Sequence, residues 1–141
     1  MLISDILKFK GADVATIGPD ATVVELLGAL AERNVGALVV TRGDAVIGIV
    51  SERDIVRRLS EQGHQLLDGH VEQLMTTNVI ACASTDPVEQ VAAAMTDKRV
   101  RHLPVIDGGR LVGIVTIGDV VLSRTRQLEM DRHQLEQYIT G

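Results

Sequence analysis

Two short stretches of this chain set a hydroxyl three residues before a carboxylate, where an apolar run gives way to a helical pattern. Gly48-Ile-Val-Ser-Glu-Arg-Asp-Ile-Val56 holds Ser51 and Asp54, and Gly113-Ile-Val-Thr-Ile-Gly-Asp-Val-Val121 holds Thr116 and Asp119. A Ser or Thr at a helix entrance accepts from the free backbone N–H groups of the first turn, and a carboxylate there suits the helix dipole. A capping box therefore accounts for either copy on its own. The same turn has a second capability. A helix N-terminus attracts a phosphate, the hydroxyl can donate to it, and an Asp one turn in can accept from paired ribose hydroxyls. Capping and ligand binding are compatible, and the spacing does not choose between them.

The elements that position these turns come as a repeat. Laid over each other at a shift of 65, residues 14–59 and 79–124 are identical at 12 of 46 positions, among them Leu38/Leu103, Gly48/Gly113 and Asp54/Asp119. Self-similarity at a long fixed period signals repeated supersecondary units that bury their faces together. In the first copy, Val14–Ile17 reads as a short strand. Thr22 three residues before Glu25 starts a helix with Val23, Leu26, Leu27 and Leu30 on one face, ending near Asn34. Two apolar strands then flank Thr41-Arg-Gly-Asp44, and Ser51 opens a helix whose Ile55, Val56 and Leu59 are expected to face the sheet. The second copy repeats this order, with Asp86-Pro87 as a helix start that puts Pro at the first helical position, and Asp107-Gly-Gly109 as the tight turn. Its last helix is expected to run on to about Ile139, with a thin stripe at Val121, Leu128 and Leu135 that suits contact with another helix.

Composition bounds the partners. A chain of 141 residues with 45% hydrophobic and 23% charged residues is long enough to bury a sizeable core. The net charge of −5 argues against nucleic acid or anionic membrane, and Phe9 and Tyr138 are too few for a stacking platform. The lone Cys82 cannot form an internal disulfide and sits in an apolar run, which reads as a buried, inert thiol in a reducing cytoplasm. Residues 1–8 have no basic leader or long apolar core and do not read as a signal peptide. Lys8 and Lys10 read as solvated side chains. No phosphate-binding Gly-Lys loop, zinc-protease motif or nucleophile elbow occurs in the sequence, and four scattered histidines fit no metal set.

The pattern of strand, helix, Leu-Pro-Val-type strand, Gly turn and Gly-h-h-Ser/Thr-x-x-Asp-h resembles the cystathionine-β-synthase (CBS) domain, present as a tandem pair. His102-Leu-Pro-Val105 and Gly113 to Asp119 fit it best, whereas the first copy departs from it, reading Ala37-Leu-Val-Val40 where the proline is expected. Leaders Ile3-Ser-Asp-Ile-Leu7 and Val71-Glu-Gln-Leu-Met75 match each other and extend the resemblance over nearly the whole chain. It implies an α+β fold of two β-α-β-β-α units about a pseudo-twofold axis with packed sheets. The division expected is a first repeat with leader helix over 1–62, a linker over 63–70, a second repeat over 71–125 and a helical extension over 126–141.

The resemblance also implies a function: a regulatory module, not an enzyme and with no catalytic cofactor, that senses energy or metabolite state by binding AMP, ADP, ATP or NAD(H). Ser51, Asp54, Thr116 and Asp119 would hold phosphate and ribose, with Gly118 admitting a phosphate to the backbone and Arg53 and Arg101 adding guanidinium groups. His102 would pack on or hydrogen-bond the ligand. Adenine would rest on Thr16 and Ile17 or Ala81 and Cys82, with Ala37 or Pro104 opposite, its edge read by backbone amides. A homodimer, an effector protein and a cytoplasmic setting complete the expectation. The alternative is an interaction scaffold or regulatory subunit whose clefts are vestigial.

Overall fold

Capping chemistry starts the helices near where the sequence places it. In the computed structural model, which describes residues 1–140, the chain runs α1 (Ile3–Lys10), β1 (Thr16–Ile17), α2 (Val23–Arg33), β2 (Ala37–Arg42), β3 (Ala45–Ser51), α3 (Glu52–Gln62), a 3-10 helix (Gly63–Asp68), α4 (Val71–Leu74), α5 (Val88–Lys98), β4 (His102–Asp107), β5 (Arg110–Thr116) and α6 (Ile117–Thr140). Thr22 caps α2 by accepting from the Glu25 N–H at 3.0 Å, and Asn34 closes it in the left-handed conformation, which Asn tolerates well. Pro87 caps α5 rather than occupying its first turn, and Asp86 instead accepts from the Ala83 N–H. Among the described residues, no helix is long and apolar enough to cross a membrane.

The two sheets are small. In one, β1 pairs parallel with β2, and β2 pairs antiparallel with β3, with a bulge at Val40/Thr41. The other is the hairpin β4-β5, whose turn residues Gly108 and Gly109 both have positive φ, as a tight two-residue turn demands. Where the repeat predicts its first strand, residues 79–83 supply only a single parallel bridge, Cys82 to Val105.

The chain divides into two compact units that cut across the sequence repeat. One comprises Asp13–Ile80 with the hairpin tip Gly108–Leu111; the other comprises Met1–Ala12, Ala81–Asp107 and Val112 onward. Each leader thus lies in the unit of the other repeat. In one unit α1 is tied by Ile3 N–H to Asp86 O, Ser4 N–H to Ser84 O and Val88 N–H to Met1 O. In the other, α4 is tied by Val71 N–H to Ala21 O and Glu72 N–H to Pro19 O. Val23, Leu26, Leu30, Leu38, Val40, Val50, Ile55, Leu66, Val71 and Leu74 form one core cluster there. Leu66 is the informative member. Segment 63–70 reads as a connector because its periodicity is poor, yet its 3-10 turn buries this leucine. Val56 and Leu59 differ from expectation as well. Only Ile55 of α3 is buried, and the other two are 65% and 45% exposed, because the helix presents one narrow stripe to the core.

Gly48 and Gly113, paired by the repeat, have one physical reason. A Cβ on Gly113 would stand 2.6 Å from Leu7 Cδ2, and one on Gly48 would stand 2.8 Å from Met75 Sδ. The leader residue of one repeat therefore packs over the bare backbone of the other repeat's strand. A Cβ at Gly48 would also meet the Thr76 carbonyl at 3.0 Å, a backbone atom held by the Ile49–Thr76 bridge, whereas at Gly113 only the flexible Leu7 side chain stands in the way. Overpacking of this kind costs about 1–3 kcal/mol. Gly48→Ala is expected at the upper end of that range and Gly113→Ala at the lower, as measured by chemical denaturation.

Candidate ligand-binding turns

Both turns fold as reciprocal capping boxes. In the first, the Ser51 Oγ accepts from the Asp54 N–H at 3.4 Å, while Asp54 Oδ2 accepts from the Ser51 N–H at 2.9 Å and from the Ser51 hydroxyl at 3.1 Å. In the second, Thr116 Oγ1 accepts from the Asp119 N–H at 3.1 Å and Asp119 Oδ2 from the Thr116 N–H at 2.9 Å. The first N–H of each helix is also engaged, Glu52 to Gly36 O and Ile117 to Arg101 O. The amide between, on Arg53 in one turn and Gly118 in the other, receives no acceptor from the cap or the neighbouring strand. The capping reading therefore holds in both copies, and what is left over defines what a ligand can use.

The leftovers differ. Ser51 spends its proton on Asp54, whereas the Thr116 hydroxyl accepts only, and its proton stays available. Asp119 Oδ2 also accepts from Lys10 Nζ at 2.6 Å, and that ammonium donates to the Ile114 carbonyl at 2.9 Å. Lys10 is therefore not the solvated lysine expected from sequence. It is the last residue of α1, three beyond Leu7 and so on the same helix face, which carries it along β5 from Gly113 toward the second turn. Arg126 over the Phe9 ring, 3.4 Å from its centroid, pins the same turn of α1 against α6. Nothing in the local sequence around Lys10 signals Asp119; only the Leu7–Gly113 contact, itself a product of the leader exchange, does so.

The remaining candidates fall into two sets, one per unit. Thr16, Ile17, Ala37, Ser51, Arg53 and Asp54 lie in one. There Thr16 and Ile17 pair with Val39 and Val40, Ala37 is buried opposite Ser51, and Arg53 is exposed. Ala81, Cys82, Arg101, His102, Pro104, Thr116, Gly118 and Asp119 lie in the other. Pro104 is buried, Ala81 and Arg101 are exposed, and a Cβ on Gly118 would meet only Thr116 Oγ1 at 3.5 Å, so packing does not require a glycine there. The amides available for reading an adenine edge are fewer than the sequence suggests. The Cys82 N–H donates to Pro104 O, the Ala83 N–H to Asp86, and the Ser84 N–H to Asp107. Burial, then the carboxylates of Asp86 and Asp107, push the Cys82 thiol up to about 12, which keeps it protonated and inert. The Ser84 hydroxyl and N–H hold the Asp107 carboxyl below its ordinary value.

Known proteins share this fold. The chain is 35% identical to the CBS domain-containing protein CBSX3, mitochondrial, of Arabidopsis thaliana, over 99% of this chain and 72% of that one. Its fold is similar to the crystal structure of a CBS-domain containing protein from Agrobacterium tumefaciens, with a TM-score of 0.86 at 42% identity, covering 88% of this chain and 99% of that one. A TM-score of 0.80 at 27% identity relates it to the CBS domain pair of protein MJ0100 in complex with 5′-methylthioadenosine and S-adenosyl-L-methionine, over 90% and 98% of the two chains. The family model for the CBS domain matches twice, over residues 3–61 and 71–124. With the fold α+β and both repeats ending in the same capped turn, the chain belongs to the CBS-domain family as a tandem pair.

Proposed function

We propose that the protein is a regulatory module that binds adenine nucleotides at its two strand-to-helix turns and reports energy or metabolite state to an effector protein. The observation that carries this reading is the likeness, along 90% of the chain, to a CBS pair holding two adenosine-type ligands. The turns supply what such ligands need. Asp54 and Asp119 each make their capping bonds through Oδ2, which leaves Oδ1 for ribose hydroxyls, and the amides of Arg53 and Gly118 face no acceptor of their own turn. AMP, ADP, ATP and NAD(H) are the ligand class, with Thr16, Ile17 and Ala37 or Ala81, Cys82, His102 and Pro104 as the adenine-side residues and Arg53 and Arg101 as phosphate partners.

In the same reading the module is a cytoplasmic homodimer. An apolar groove of about 450 Å³, lined by Leu27, Leu30, Val35, Ile55 and Val56 among others, and the exposed Leu128 and Leu135 of α6 support an association through helix faces. A thermal-shift screen with AMP, ADP, ATP, NAD, NADH and S-adenosylmethionine tests the ligand class, with light scattering on the same samples for the mass. A ligand at a hundredfold excess over its dissociation constant stabilises by about 2.7 kcal/mol. A flat screen leaves the scaffold alternative in possession, and a monomer mass at every concentration removes the dimer.

A further inference from the structure

The two turns are related by the repeat, but the charged residues at and beside them differ. At the first turn, Glu52 and Asp54 outnumber Arg53. At the second, the positions of Glu52 and Arg53 are taken by Ile117 and Gly118, and the position of Gly36 by Arg101, whose carbonyl accepts from the first N–H of α6. Lys10 then adds its ammonium directly to Asp119. The carboxylate of the second turn thus carries an ammonium, whereas that of the first, Asp54, accepts only from Ser51. The ammonium on Asp119 comes from the leader. Helix α1 continues past Leu7 to Lys10, whereas α4 stops at Leu74, and Asn78 stands three beyond Met75, the counterpart of Leu7, with no helix to carry it.

We infer that Lys10 is the specificity-determining residue of the second turn, making it selective for adenosine ligands that carry a phosphate over those that are neutral or cationic at the 5′ side. This rests on the reading of that turn as a nucleotide site. Without ligand, Lys10 neutralises Asp119. When ribose hydroxyls take the carboxylate, the ammonium gives up part of its partner and needs another anion within reach. A 5′-phosphate at the N-terminus of α6 supplies one, a few ångströms away and inside the screening length of about 8 Å at physiological salt. A methylthio group supplies none, and a sulfonium adds like-charge repulsion. The side chains of Lys10 and Asp119 are 29% and 20% exposed, so the exchange takes place in a site open enough for a ligand yet not fully screened.

Calorimetric titration of the full chain with AMP and with S-adenosylmethionine, at low and physiological salt, tests this with three proteins: wild type, Lys10→Met and Lys10→Arg. In the wild type, an AMP-binding event is expected that weakens with salt. Lys10→Met should weaken it at least tenfold and flatten its salt dependence, while S-adenosylmethionine stays within threefold or tightens. Lys10→Arg, which keeps the charge, should return AMP to within about threefold of wild type. Equal losses for both ligands would make Lys10 a structural residue and overturn the inference, as would an AMP affinity indifferent to Lys10→Met. Failure of the wild type to bind either ligand would instead remove the nucleotide reading itself, and the inference with it.

Discussion

Replacing Asp119 by Asn is expected to lower AMP affinity at the second turn between tenfold and a hundredfold while leaving the unliganded fold nearly as stable as before. A hydrogen bond to a charged group contributes about 1.5–3 kcal/mol net, and each 1.4 kcal/mol is a factor of ten in affinity. The Asn carbonyl can still accept from the Thr116 N–H, so the capping box survives. What the free protein loses is the charge–dipole term and the partly exposed pair with Lys10, each worth about 1 kcal/mol or less. The affinity loss for AMP should fall toward the lower end, because Lys10, relieved of its carboxylate, attracts the phosphate more strongly. Asp54→Asn at the first turn has no such offset, since Asp54 accepts only from Ser51. A purely structural role predicts the opposite pattern, a modest loss of stability with unchanged affinity. Calorimetry with ligand and chemical denaturation without it separate the two outcomes.

The second large effect concerns the leader. Ile3 is fully buried although it is the third residue of the chain, and its N–H donates to Asp86 O beside the start of α5. Truncating a buried Ile to Ala costs about 2–5 kcal/mol. Ile3→Ala is therefore expected to destabilise the unit built on the second repeat by that amount, with loss of hydrogen-exchange protection read at the amides of α5, β4 and the first turns of α6. An ordinary frayed N-terminus would lose less than about 0.5 kcal/mol on the same substitution. Finding the loss confined to the β2-β3 hairpin would contradict the exchange of leaders.

Much of this was legible in the chain because it depends on short-range rules. A hydroxyl three residues before an acid favours a helix start, and Thr22, Ser51 and Thr116 all begin one, whereas Thr41 and Asp44, with Gly43 between them, make a hairpin turn instead. Two glycines flanked by strands make a tight turn, as at Gly108-Gly109. A fixed shift of 65 pairs Asp54 with Asp119 and Gly48 with Gly113 without any coordinates. The order of elements and the presence of two turns therefore followed from residue types and spacing, and the tandem family from the resemblance that those motifs carry. Val56 and Leu59 were misplaced because apolar character at helical spacing identifies a candidate face but not how wide a stripe the core accepts.

Only the tertiary structure decided which leader serves which repeat. Ile3 to Leu7 and Val71 to Met75 are equally apolar and match each other, so either could pack on either strand; chain connectivity and the space above Gly113 and Gly48 settle it. From that exchange comes the one feature no local rule contains, an ammonium from residue 10 on a carboxylate at residue 119. Charge pairs across a hundred residues are set by packing rather than by spacing. The repeat gives the two turns the same capping frame, residues 52 and 53 against 117 and 118 already set them apart in sequence, and the longer leader helix adds to the second an ammonium that no position in the turn encodes.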